Sequence, residues 1–130
     1  LVAPIDLILT NNQVRQPDLV MIHRDRHHIL TRRGIEGAPD LIVEILSPST
    51  ALNDKRVKRE TYAHFSVTEY WIVDPFHQTL EQHLLSAEDQ TYQLYEVYGS
   101  EDETITSPTV KCLSIQTSEL FRDLDLLNLE

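Results

Sequence analysis

A chain of 130 residues, 41% hydrophobic and 25% charged, is long enough for one domain with a real apolar core. Its 11 basic residues against 21 acidic ones give a net charge of −10, which weighs against non-specific nucleic-acid binding, because that draws its affinity from Lys and Arg neutralising phosphates. No apolar run approaches the ~18 residues of a membrane span, no basic and then apolar leader opens the chain, and the lone Cys112 cannot close an internal disulfide, so a cytoplasmic protein with no membrane partner is expected.

The opening "LVAPIDLIL", residues 1–9, is apolar and β-prone and ends at Asn11 and Asn12, which predicts a first strand. "PDLVMI", 17–22, predicts a second, with Pro17 at its start, where a missing N–H costs little. The polar, basic stretch 23–38 contains two glycines and predicts a long loop. A third strand is expected over 40–46, "DLIVEIL", after which "SPST" supplies a hydroxyl N-cap and a proline for a helix over 50–64. Leu52, Val57, Ala63 and Phe65 give that helix only a narrow apolar stripe, so much of it should be wet. "EYWIVD", 69–74, predicts a strand closed by Asp74-Pro75; "TLEQHLL", 79–85, and "QTYQLYEVYG", 90–99, predict a β-meander. The tail adds an apolar segment, "TVKCLSI", and a short helix in "ELFRDLDLL". The order predicts a single α/β (α+β) domain over 1–130, a mixed sheet flanked by helices with a C-terminal meander.

Chemistry concentrates on the third strand. Side chains on a strand change face every residue, so Asp40, Ile42, Glu44 and Leu46 share one face. A carboxylate among aliphatics is costly unless hydrogen-bonded, paired or metal-bound, so Glu44 needs a partner. If 17–22 and 40–46 pair antiparallel with Val20 opposite Ile42, Asp18 falls opposite Glu44, with Cβ atoms ~5 Å apart. Two like charges at that distance call for a cation between them, and Mg²⁺ or Mn²⁺ takes such hard oxygen ligands. Asp40 lies ~13 Å away along the strand and is expected to cap its end, bond the backbone of the 23–38 loop or anchor a basic residue from that loop. Lys58 and Tyr62 stand one turn apart on the helix after this strand and share a face. From the residues alone, Lys58 reads as surface, or as an ammonium reaching the acidic pair. Lys55, Arg56 and Arg59 read as solvated surface.

Several separated motifs carry a resemblance: "QPDLV", "GAPDLIVEILSPST", the "D...K...Y" of Asp54, Lys58 and Tyr62, and "EYWIVDP". Together they resemble the Uma-type endonucleases of the PD-(D/E)XK, restriction-endonuclease-like superfamily, and "LSI....LF", 113–121, resembles that family's closing segment. The resemblance implies a central four-stranded mixed sheet and Mg²⁺-dependent hydrolysis of phosphodiesters. It makes Asp18 the first metal-binding acid, Glu44 the second and Lys58 the catalytic lysine, with Asp40 and Tyr62 as secondary candidates. It implies a nucleic-acid partner, DNA ahead of RNA, and leaves room for a homodimer. Two departures stand out. The superfamily's lysine two residues after the second acid is Leu46 here, and its N-terminal helix has no counterpart ahead of the first strand. Both favour the alternative, a catalytically inactive nuclease-fold domain serving interaction or oligomerisation. No Cys/His spacing suggests zinc, and the six histidines are scattered.

Overall fold

The computed structural model describes residues 6–47, 52–99 and 101–128, without the side chains of 52–54 and 123–128. The expected start of the first strand and most of the "SPST" cap lie outside the described residues. In chain order the elements are β1 (Leu7–Thr10), β2 (Gln13–Arg15), β3 (Leu19–Met21), a 3₁₀ turn (Arg24–Ile29), β4 (Leu30–Thr31), β5 (Gly34–Glu36), β6 (Leu41–Ile45), α1 (Leu52–His64), β7 (Glu69–Asp74), β8 (Thr79–Leu85), β9 (Tyr92–Tyr98), β10 (Thr104–Thr106), β11 (Ser114–Gln116) and α2 (Thr117–Asn128).

The central sheet runs β3-β6-β7-β8-β9. Only β6 and β7 are parallel, joined through α1, and every other neighbouring pair is antiparallel. This is the mixed sheet expected, with β9 added as a fifth strand at the edge of the meander. The β3–β6 register is Leu19↔Val43, Val20↔Ile42 and Met21↔Leu41, the alignment on which the opposition of Asp18 and Glu44 depends.

The alternation of β6 sorts into two cores. Val20, Ile42, Tyr70 and Ile72 pack beneath Tyr62 and Ala63 of α1. Leu41, Val43, Trp71, Val73 and Leu80 face the other way, under Ile105 and Phe121. A strand buried on both faces reads as a nearly continuous apolar run, which is why β6 stood out in the sequence. Glu69 is fully buried on the second face, where Trp71 Nε1, Ser107 Oγ (2.7 Å) and Thr109 N–H (3.2 Å) donate to it. Those three bonds offset its desolvation and tie the 107–109 segment to the sheet.

The stretch 23–38 is not a plain loop. It holds the 3₁₀ turn and the β4–β5 hairpin, which joins β1 and β2 in a second sheet ordered β2-β1-β5-β4. In the tail, β10 and β11 form a two-stranded ribbon, and β11, Ser114–Gln116, begins within the apolar segment "TVKCLSI". At the hairpin turn, Gly34 has φ +135°, and a Cβ there would stand 2.3 Å from the Asp6 carbonyl oxygen. That carbonyl accepts the Ile35 N–H at 2.8 Å, so the contact cannot open without breaking the β1–β5 join. Gly34→Ala is expected to cost about 1–3 kcal/mol. Urea unfolding should show a lower midpoint at unchanged slope.

Candidate active site

Glu44 sits near the C-terminal end of β6, 5% exposed. The chain crosses from β6 to its parallel neighbour through α1, so α1 lies over the face that Glu44 occupies. Two side chains one turn apart on α1 meet the two carboxylate oxygens. Lys58 Nζ donates to Oε2 at 2.9 Å, and the fully buried Tyr62 hydroxyl donates to Oε1 at 3.1 Å. The i, i+4 spacing brings both to one carboxylate.

Burial pushes the Glu44 carboxyl above the usual carboxylate range. The Lys58 hydrogen bond and charge pull it back, while the nearby Asp18 charge pushes it up again. Burial and the Glu44 charge together drive the Tyr62 phenol far upward, so it remains protonated and serves as a donor. Arg15 on β2 opposes that rise, a cation whose proximity nothing in the sequence announced.

Asp18 is exposed and precedes β3 by one residue. Its Oδ2 accepts the Ile45 N–H at 2.7 Å, beyond the last paired residues of β3 and β6. That bond caps the strand end and holds the Asp18 carboxylate beside Glu44, where their repulsion is felt. Asp40 belongs elsewhere. It is 7% exposed, accepts the His23 N–H at 2.7 Å and pairs with Arg26 at 2.9 Å, while Arg26 also donates to the Ala38 carbonyl. Asp40 thus fastens the 3₁₀ segment to β6. Leu46 packs against the α1-side core.

Asp18, Glu44, Lys58 and Tyr62 are therefore brought together, and Asp40 is directed to the loop. Among the described residues there is no group of three or more His, Cys, Asp or Glu able to hold a metal ion. Two neighbouring carboxylates nonetheless suit a hard divalent cation, which commonly takes one or two carboxylates and completes its shell with water. The mutual repulsion of the pair, only partly met by one ammonium, is the observation that fits such an ion. Tyr62→Phe would keep the ring, 5.4 Å from Tyr70, but leave Oε1 without its donor. Removing it should raise the Glu44 pKa further and lower metal affinity by about tenfold, the size seen for groups that orient ligands, as read by calorimetry.

Comparison with curated proteins found no match. Among solved structures, the fold is similar to a protein described as a "putative nuclease belonging to DUF820" from Anabaena variabilis, at TM-score 0.68 and 20% identity. The likeness covers 92% of this chain and 65% of that one, so this chain spans about two thirds of its relative's length. No helix among the described residues is long and apolar enough to cross a membrane. The family model described as "Putative restriction endonuclease" matches residues 2–118, and the chain belongs to that family, Uma2.

Proposed function

We propose that this chain is a divalent-metal-dependent endonuclease that hydrolyses phosphodiester bonds of nucleic acid, with DNA ahead of RNA as substrate. One observation carries the reading: in a chain of a nuclease family, a buried Glu44 is held by Lys58 and Tyr62 beside a second carboxylate, Asp18. Asp18 and Glu44 would hold Mg²⁺ or Mn²⁺. When bound, the ion supplies Lewis-acid stabilisation of the phosphate and a more acidic water.

The chain's own groups do the rest. Tyr62 fixes the rotamer of Glu44 by donating to Oε1. The Ile45 N–H fixes Asp18. Lys58, on a side chain 31% exposed, reaches from solvent to Oε2 and presents its ammonium where negative charge develops in the transition state. The rival reading, an inactive nuclease-fold module for interaction or oligomerisation, draws on Leu46, which fills with apolar packing the position where the superfamily carries its lysine. Lys58 answers it, since an ammonium reaches the same carboxylate from α1 instead.

The test is cleavage of supercoiled plasmid and of structured RNA with Mg²⁺, with Mn²⁺ and with EDTA. Metal-dependent nicking or linearisation is expected, faster on plasmid. Identical integrity of both substrates in all three conditions would rule the catalytic reading out.

A further inference from the structure

A net charge of −10 repels a polyanion, so a nucleic-acid substrate needs a local cationic path to the site. α1 carries one. Lys55, Arg56, Lys58 and Arg59 fall within five residues, and while Lys58 turns toward Glu44, the other three line a hollow beside it. A hollow of about 280 Å³ is bounded by Lys55, Arg56 and Arg59, with Ile72 and Glu81 beneath. A second, of about 440 Å³, begins at the same Arg56 and Arg59 and runs to Tyr92. The two shared arginines join them into one groove along α1.

Register places that groove next to the acidic pair. Ile72 is the direct partner of Glu44 across β6 and β7, and Glu81 is the partner of Ile72 across β7 and β8. The groove therefore opens about one strand spacing, ~4.8 Å, from the strand bearing Glu44.

Its cations differ in how they are held. Arg59 is fixed: it donates to the Tyr92 carbonyl at 3.0 Å and to His83 Nδ1 at 3.3 Å, with its guanidinium 5.8 Å from the Tyr92 ring centre. His83 accepts at Nδ1 and so carries its proton on Nε2, which donates to Glu81 at 3.0 Å. Burial holds the His83 pKa down, keeping the ring neutral in this relay, and of the two acids lining the groove, Glu81 and the exposed Glu60, the first is thereby engaged by a donor. Lys55 and Arg56 make no ion pair with any described residue, and Arg56 is exposed. Neither is spent on holding the fold.

We propose that this groove is the track for the phosphodiester backbone flanking the scissile bond. Lys55 and Arg56 meet successive phosphates, and Arg59 is the fixed cation that lines both hollows. The assignment rests on the endonuclease reading above and names how the substrate strand enters that site. Phosphate contacts of this kind set position and affinity without reading sequence.

The experiment measures binding of a fluorescein-labelled 12-nucleotide single-stranded DNA by anisotropy, in EDTA, across a salt series. The proteins are the wild type, the double variant Lys55→Gln/Arg56→Gln, and Lys111→Gln as an exposed cation outside the groove. Circular dichroism checks that each is folded. The double variant should bind at least about tenfold more weakly, with a salt slope shallower by about 1.4, two contacts at ~0.7 each. Lys111→Gln should match the wild type. Equal affinity and slope in wild type and double variant, or no binding by the wild type, overturns the track.

Plasmid cleavage by the wild type in Mg²⁺ separates the two proposals. Groove-dependent binding without cleavage removes the catalytic reading and keeps the track. Cleavage with groove-independent binding does the reverse.

Discussion

Glu44→Gln is expected to lower metal-dependent cleavage by about 100-fold or more while leaving the fold in place. Residues that merely orient a metal ligand cost 10–100-fold when removed, and Glu44 is proposed as a ligand itself. The substitution keeps the size of the side chain and an acceptor for the Tyr62 hydroxyl, but removes the negative charge. Loss of a buried ion-pair partner is often severe because it strands the other charge. Here the Lys58 side chain is 31% exposed and can turn to water, so stability should fall only modestly. The check is initial-rate cleavage of plasmid in Mg²⁺ beside urea unfolding of the same preparation. A variant that is fully folded yet cuts at the wild-type rate would remove Glu44 from the chemistry.

Lys58→Met should lower cleavage by roughly 10²–10⁴-fold, the range associated with one positioned acid–base or charge-stabilising group. It should also move the pH dependence in a defined direction. Burial raises the Glu44 pKa, and Lys58 is the strongest influence drawing it back down. A metal ligand must be ionised, so metal binding is complete above the folded pKa of Glu44 and lost as pH falls through it. For wild type that loss begins at higher pH than for an ordinary glutamate, whose reference value is 4.5. Without the ammonium the carboxyl holds its proton to a still higher pH, and the acid limb shifts upward. Mn²⁺ affinity measured from pH 5 to 8 reads the shift. A surface lysine would leave both the limb and the rate where they were, which separates this role from a solvated side chain.

Where the sequence was legible, a repeat pattern and a burial cost reinforced each other. β6 declared itself through a nearly continuous aliphatic run, and Glu44 through the expense of placing a carboxylate within it. The Val20↔Ile42 alignment enters the sequence reading only as an assumption; the sheet adopts it, and a slip of one residue would have turned every side chain of the strand over. Lys58 and Tyr62 were visible as one helix face. Neither their separate oxygens on Glu44 nor the hydroxyl's complete burial was.

Other features lay beyond sequence patterning for stated physical reasons. β4 and β5 have two and three residues, too few to show a period of two, and their polar surroundings resemble a loop. β2, β10 and β11 have three residues each, again too few to show a period of two. Asp18 is held by a backbone N–H across the sheet, a bond that carries no mark in side-chain composition. Lys55, Arg56 and Arg59 read as solvated surface because their meaning comes from where β7 and β8 place Ile72 and Glu81.

The central claim is that Asp18 and Glu44 together hold one divalent cation. Calorimetric titration of Mn²⁺ into the wild type, with Glu44→Gln alongside at the same pH, tests it most directly. Saturable binding near one ion per chain that disappears in the variant is the predicted result. Titrations of the two proteins that superimpose, whether both bind or neither does, would contradict it.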